Sequence, residues 1–195
     1  MAEKYRLTTS DYLPYTEYEK LLDGLHKDKK YFWELYARLG FCTACRASDI
    51  LALRWGQILN VPRVCIKEKK TGKARIISFN ESVRKKIASL YKLLNSPDLD
   101  APVFFSSMTG EPITIQQVNR TLKLFKYRYR LKINHFSTHT FRKTFGRYVY
   151  DHGPNKSENL LLLNKIFNHT SIQVTKTYIG ITQDEIDKVY NSIRF

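Results

Sequence analysis

His139 and Arg142 stand three residues apart in Thr138-His139-Thr140-Phe141-Arg142-Lys143-Thr144-Phe145. On a helix that spacing puts an imidazole and a guanidinium on one face, one turn apart. Further on, Asn168-His169-Thr170-Ser171 leads through a polar, helix-compatible segment to Thr177-Tyr178-Ile179-Gly180, so a second imidazole precedes a phenol by nine residues. Such a set suits a phosphodiester. Cations hold the non-bridging oxygens, where charge gathers as phosphorus becomes five-coordinate, and the phenol attacks phosphorus. Arginine presents a planar fork of donors that stays protonated at any working pH. A phenol, with an ordinary pKa near ~10, needs neighbouring cations and a proton acceptor to attack at neutral pH. The rest of the chain must position the stretch from Ser137 to Tyr178.

Composition narrows the partner. The 195 residues suffice for one domain with a substantial core. Apolar residues at 43% and aromatics at 13% point to a globular chain. Lys and Arg total 33 against 18 Asp and Glu, a net charge of +15. That excess points to nucleic acid first and an anionic membrane surface second. No apolar run approaches the ~20 residues of a membrane span. Met1-Ala2-Glu3-Lys4-Tyr5-Arg6 lacks the apolar stretch of a signal peptide, so a cytoplasmic protein is expected. The cysteines, Cys42, Cys45 and Cys65, are odd in number, which argues against a disulfide framework. Cys42 and Cys45 form a CxxC, but no second ligand pair follows to complete a structural zinc site. They read as small buried thiols on a helix.

The elements that would carry these residues are mostly helical. A capping box at Thr16–Glu19 opens a helix with Tyr18, Leu21, Leu22 and Leu25 at helical spacing. A second helix runs from about Lys29 to Leu39, with Phe32, Leu35, Tyr36 and Leu39 on one face and Gly40 as its C-terminal cap. The run from Cys42 to Trp55 reads as a helix with Ile50, Leu51 and Arg54 on one buried stripe. The period then changes. Arg63–Lys67 and Ala74–Phe79 form a β-hairpin with a basic tip, Glu68-Lys69-Lys70-Thr71-Gly72-Lys73. Asn80 caps a helix through Leu94, residues 95–98 are a loop, and Val103–Phe105 is a short strand. Thr114 and Gln117 form another capping box, opening a helix that runs into Lys123–Arg130. The central helix stops at Gly153-Pro154, a Leu-rich helix spans Glu158–Phe167, and Ser171–Tyr178 is helical. Thr182 to Glu185 is a capping box for a last helix ending at Ile193. The expected fold class is mainly α with a small antiparallel β-sheet, in one domain.

Arg46-Ala47-Ser48-Asp49, Leu51-Ala52-Leu53-Arg54-Trp55 and Lys70-Thr71-Gly72 on the hairpin complete an ordered series with His139, Arg142, His169 and Tyr178. In order and spacing, over roughly Leu7 to Ile193, the chain resembles the catalytic domain of the tyrosine recombinase, or phage integrase, family. Relatives often carry Gly where this chain has Thr43-Ala44-Cys45, and Leu-Gly-His where it has Phe167-Asn168-His169; Asn tolerates the left-handed turn that Gly would supply. The resemblance implies a site-specific DNA recombinase, bacterial or phage-encoded and tied to mobile elements. In it Tyr178 is the nucleophile, and Arg46 and Arg142 hold the phosphate. His139 helps with the phenol proton, His169 donates to a phosphate oxygen, and Lys70 protonates the leaving 5′ oxygen, with Lys73 a rival for that role. Asp49 orients Arg46 or His139 from behind. The product is a 3′-phosphotyrosyl link that religates without ATP. Two arginines and a lysine fill the place of a divalent metal, so no metal and no cofactor are implied.

Each piece has a plainer reading. Arg46 and Asp49 could be an exposed helix pair, Lys69, Lys70 and Lys73 solvated charges, and Tyr178 a packing residue among 13 tyrosines. Two other functions share the features: a type IB topoisomerase-like relaxing enzyme, and a non-catalytic DNA-binding module on the same fold. Lys69 and Lys73 are candidate contacts to double-stranded DNA. So are Lys123, Lys126, Arg128 and Arg130, which with Lys132 interleave with Phe125, Tyr127 and Tyr129. The boundaries expected are one catalytic domain over 1–195, its core about 7–181, with a helical tail at 182–195 and no N-terminal core-binding domain. By resemblance that tail docks on a neighbouring protomer in a DNA-bound tetramer; packing on its own domain is the other reading.

Overall fold

The computed structural model describes residues 10–106 and 109–194, leaving out the side chains of 182–186. Its described elements are helices around one two-stranded antiparallel sheet. Helix α1, Tyr15–Lys27, buries Tyr18, Leu21, Leu22 and Leu25, the stripe that their spacing requires. It starts before the expected capping box. Pro14 holds the N-cap with φ −50°, and no side chain caps the end. Helix α2, Tyr31–Thr43, runs through Gly40 instead of stopping there. Gly40 serves packing: a Cβ on it would meet Phe141 Cβ at 2.9 Å. Ala44 takes the left-handed cap, φ 49° and ψ 29°, a conformation that disfavours a residue with a Cβ by ~1–2 kcal/mol.

The expected continuous helix through Trp55 is broken in two. Helix α3 is Ala47–Ile50 and α4 is Trp55–Ile58. Between them Arg54 is extended and exposed, so it is not part of a buried stripe. The break follows from backbone pairing with a distant segment. Trp55 N–H bonds Ala101 O, Gly56 N–H bonds Leu99 O, and Val103 N–H bonds Leu53 O. The strand expected at Val103–Phe105 is reduced to isolated bridges, Arg54 with Pro102 and Phe105 with Pro112.

Strands β1, Arg63–Lys67, and β2, Ala74–Ser78, pair with Cys65 opposite Ile76. Helix α5, Glu81–Leu93, is capped by Asn80, whose Oδ1 accepts from Val83 N–H at 2.9 Å. Helix α6, Ile115–Arg128, carries the Thr114–Gln117 capping box. Helices α7, Thr140–His152, α8, Lys156–Phe167, α9, Ile172–Tyr178, and α10, Ile181–Ser192, complete the order. The capping box expected at Thr182–Glu185 lies outside the described side chains. Cys42 ends up half-buried on α2, Cys45 buried just beyond it, and Cys65 exposed on β1. No described helix is long and apolar enough to cross a membrane.

Packing divides in two. The larger core joins α1 to α6 and the sheet through Leu21, Leu35, Tyr36, Leu39, Trp55 and Phe104. A smaller core gathers Ala44, Tyr150, Leu160, Leu163, Phe167, Ile179 and Ile181. Helix α7 serves both, with Phe141 in the first and Tyr150 in the second. Gly146 lets it approach the smaller one: a Cβ there would meet Ile179 Cγ2 at 2.6 Å and Phe167 Cζ at 2.9 Å.

Candidate active site

Arg142 is 3% exposed, and its guanidinium is held by two backbone carbonyls. Nη1 donates to Ala44 O at 2.5 Å and Nη2 to Phe167 O at 2.8 Å. These carbonyls end α2 and α8, where helix carbonyls lack partners and the helix dipole favours a cation. The guanidinium also lies 4.6 Å over the Phe167 ring. Arg75 of β2 reinforces the same turn, donating to Ala44 O at 3.3 Å and Thr43 O at 2.6 Å. The turn that aims Arg46 is thereby tied to both the hairpin and α7.

Arg46 is the N-cap residue of α3, and its Nη1 donates to Glu68 Oε2 at 2.8 Å. Glu68 is 3% exposed and also accepts from Thr71 Oγ1 at 2.8 Å. Burial alone would raise its carboxyl; the hydrogen bonds from Thr71 and Arg46 outweigh that and leave it below the ordinary value. Asp49 does something other than expected. Its backbone N–H bonds Arg46 O at 2.9 Å, but among the described residues its carboxylate bonds neither the Arg46 guanidinium nor His139; Oδ1 accepts from Lys69 N–H at 2.9 Å and from Ser48 Oγ at 3.3 Å. It holds the hairpin tip, and Glu68 holds Arg46.

His139 stands one position outside α7, as its N-cap. Burial depresses its pKa, and Arg142, Lys143, Arg46 and Lys70 add to that, which favours the neutral imidazole. Asn168 ends α8 in the left-handed conformation, φ 52°, and so turns the chain into His169. Burial, then Arg142 and Arg46, push the His169 pKa down to about 4. Its Nδ1 lies 3.1 Å from Thr175 Oγ1, and Thr175 accepts from Asn164 Nδ2 at 3.2 Å. If the Thr175 hydroxyl gives its proton to Nδ1, Nε2 carries the N–H and is free to donate.

Tyr178 closes the group from the end of α9. Its ring meets His169 at 5.1 Å and Phe167 at 5.4 Å, both edge-on. The phenolic oxygen is buried and makes no regular hydrogen bond to a described residue. Burial raises its pKa, while Arg142 and then Arg46 pull it down. Of the hairpin lysines, Lys70 is exposed and close enough to act on His139, and Lys73 Nζ donates to Asn168 Oδ1 at 3.2 Å.

The structure thus groups Arg46, Arg142, His139, His169 and Tyr178, with Lys70 and Lys73 at the rim. The cations on α6 and just after it bond elsewhere or are exposed. Lys126 Nζ donates to Asn134 O at 2.9 Å, and Arg128 pairs with Asp28 at 2.5 Å. Arg130 lends its carbonyl to Lys20 at 3.0 Å, and Lys123 is exposed. Sequence reasoning missed Glu68, Arg75 and Thr175. Glu68 had a signal, as the sole acid in the basic run Lys67–Lys73. No group of three or more His, Cys, Asp or Glu that could hold a metal occurs among the described residues.

Known proteins resemble this chain in sequence and in fold. The Phage integrase family profile matches residues 11–185. A probable integrase/recombinase, YoeC of Bacillus subtilis (strain 168), is 32% identical over 167 residues, covering 85% of this chain and 86% of that protein. Tyrosine recombinase XerD of Staphylococcus haemolyticus (strain JCSC1435) is 24% identical over 194 residues, covering 96% of this chain and 64% of XerD. Among solved structures, XerA recombinase superposes with a TM-score of 0.71 at 19% identity, over 94% of this chain and 66% of that one. The lambda integrase catalytic core does so with a TM-score of 0.58 at 18% identity, over 78% and 90%. The chain belongs to the phage integrase family, the site-specific tyrosine recombinases.

Proposed function

We propose that this chain is the catalytic domain that cuts and rejoins double-stranded DNA through Tyr178. The Oη atom attacks a backbone phosphorus and forms the O–P bond. His139 takes the phenol proton. The bond from phosphorus to the 5′ oxygen breaks, and that oxygen takes a proton from Lys70 or Lys73. The products are a 3′-phosphotyrosyl link and a free 5′ hydroxyl. Religation runs the same steps backward with another 5′ hydroxyl. Arg46 and Arg142 both keep spare N–H donors beyond their protein partners and would hold the phosphate oxygens. His169 would donate from Nε2.

One observation carries this reading. Arg46 and Arg142 come from separate elements, yet both act on Tyr178 and on His169. Lys69, Lys70 and Lys73 form an exposed basic rim beside them, so DNA affinity should fall steeply with salt. XerH, at a TM-score of 0.70, was solved bound to its palindromic difH substrate as a post-cleavage complex. Helix α10 leaves Val189 and Tyr190 exposed, which supports self-association on DNA through 182–195.

The test is covalent trapping. A duplex selected by the chain from a randomised pool is nicked near the crossing point, so that a short released strand cannot return. Wild type should accumulate an adduct mapping to Tyr178, and Tyr178→Phe should form none. A wild-type chain that binds the duplex and never traps would overturn the proposal. Relaxation of any supercoiled plasmid by monomer would instead assign a topoisomerase.

A further inference from the structure

Lys143 follows Arg142 on α7 and has no part in the steps above. It is 9% exposed. Its Nζ donates to Ser10 O at 2.6 Å and lies 5.1 Å from the centroid of the Tyr178 ring. The segment that holds it is itself laced to α7. Ser10 Oγ pairs with Thr140 Oγ1 at 3.1 Å, and Leu13 N–H bonds Thr144 Oγ1 at 2.8 Å. An ammonium this deep loses hydration and needs partners of opposite polarity. The Ser10 carbonyl is one. Asp11 acts on it from a distance, while its own carboxylate accepts from His135 N–H at 2.9 Å. The remaining partner is the electron-rich face of the phenol.

We propose that Lys143 is a positioning residue for the nucleophile: its ammonium, pinned over the Tyr178 ring by Ser10, seats that ring and favours the phenolate over the phenol. The inference rests on Tyr178 being the nucleophile. The physical basis is the ring quadrupole. A cation over an aromatic face is held electrostatically, and more tightly when the site is desolvated. Loss of the phenol proton pushes electron density into the ring, so the attraction grows as the O–H bond breaks. The proton goes to the acceptor already named, and Lys143 exchanges none. It differs from Arg142 and Arg46, which approach the oxygen side and are also needed by the phosphate. The charged and titratable groups facing Tyr178 are Arg142 and Lys143 from α7, Arg46 from the turn before α3, and His169 from the turn after α8. Those facing Lys143 are Tyr178, Asp11 and His139.

The experiment compares wild type, Lys143→Gln and Lys143→Arg as full chains on the nicked trapping duplex, with adduct formation followed in a single turnover from pH 6 to 9. Gln can still donate to Ser10 O but carries no charge; Arg restores the charge. Lys143→Gln should trap about tenfold more slowly near neutral pH, with its rising limb displaced upward by about one unit. Lys143→Arg should return the limb to the wild-type position. DNA affinity should not change, because the side chain is buried. A slower rate with an unmoved limb would make Lys143 a strap for Ser10 alone and overturn the proposal. Absence of any wild-type adduct at Tyr178 would overturn it together with the nucleophile assignment, whereas a normal wild-type adduct with unmoved limbs sinks this inference only. Should Lys143→Gln not fold, Lys143→Met, which keeps the apolar stem and drops the charge, takes its place: the same slower trapping and upward-displaced limb are expected, and a limb at the wild-type position overturns the proposal.

Discussion

The two packing regions of this molecule do different work. The larger core holds the turn of Arg46 and the hairpin of Lys70, and a buried carboxylate on each, Asp49 and Glu68, locks one to the other. The smaller core holds His169 and Tyr178 through Phe167, Ile179 and Thr175. Arg142 is the bolt between α2, whose apolar stripe packs in the larger core, and α8 of the smaller one, bonded to Ala44 O at the end of α2 and Phe167 O at the end of α8. Opening free energy follows the apolar contact that an opening breaks. The smaller region, with fewer fully buried side chains, should therefore open first. Its opening would uncover the buried phenol and free Arg142 from Phe167 O, while Arg46 stays held by Glu68.

The strongest way to break the comparison is Phe167→Ala. Phe167 is fully buried and touches Arg142, His169, Tyr178 and Phe145. Truncation of such a ring removes about 3–5 kcal/mol. If the regions are separable, amide exchange in α8 and α9 should accelerate by orders of magnitude while α1 and α2 keep their protection. Covalent trapping should vanish. Equal loss of protection in both would show one cooperative unit.

Arg142→Lys attacks the bolt. One ammonium cannot serve two carbonyls in different directions and a phosphate as well. Trapping should fall about 10²–10³-fold, the usual loss for one preorganised donor. Stability should fall too, because Ala44 O and Phe167 O cannot both find their donor. Single-turnover trapping beside thermal melts separates the effects.

Much of this arrangement is legible in the amino-acid order, and the failures have physical causes. Helices α1, α2, α5 and α6 carry their apolar stripes at a period that local spacing reveals. The break between α3 and α4 is invisible locally, because the groups that cause it, Leu99 O and Ala101 O, lie more than forty residues away. Arg46, Arg142, His169 and Tyr178 stand out by type and order. What anchors them does not. Arg142 is held by backbone carbonyls, which every residue supplies alike, and His169 by a threonine with nothing to mark it. Gly40 misled because its smallness serves a helix crossing and not a helix end.

Acid sharpens the comparison, since each region has its own window. In the smaller region His169 sits at about 4 against an ordinary 6.5, depressed chiefly by burial. Falling pH protonates the unfolded chain first, so stability should decline from about pH 6.5 down to 4. His139, also depressed, adds to that decline. In the larger region Glu68 lies below its ordinary 4.5. Its contribution is full above that value and is lost as pH falls through the lowered one. Melting curves of His169→Gln should therefore flatten between pH 6.5 and 4, and those of Glu68→Gln only below about 4.5. Identical profiles for the two variants would remove the distinction.

The smallest effect tests the tautomer of His169. Thr175 is fully buried, and its hydroxyl lies 3.1 Å from His169 Nδ1, closer than the 3.4 Å to Ser171 O. Valine keeps the shape and removes the hydroxyl. The Asn164 amide then loses its acceptor and the imidazole is free to put its proton on either nitrogen. Thr175→Val should slow trapping by about fivefold to tenfold, the equivalent of one hydrogen bond. DNA affinity and its salt dependence should hold if, as proposed, the hairpin lysines and the arginines make the phosphate contacts. Combined with His169→Gln, the loss should be less than the product of the two, since both act on one donor. Full multiplication would mean that Thr175 reaches the phosphate by some route other than His169.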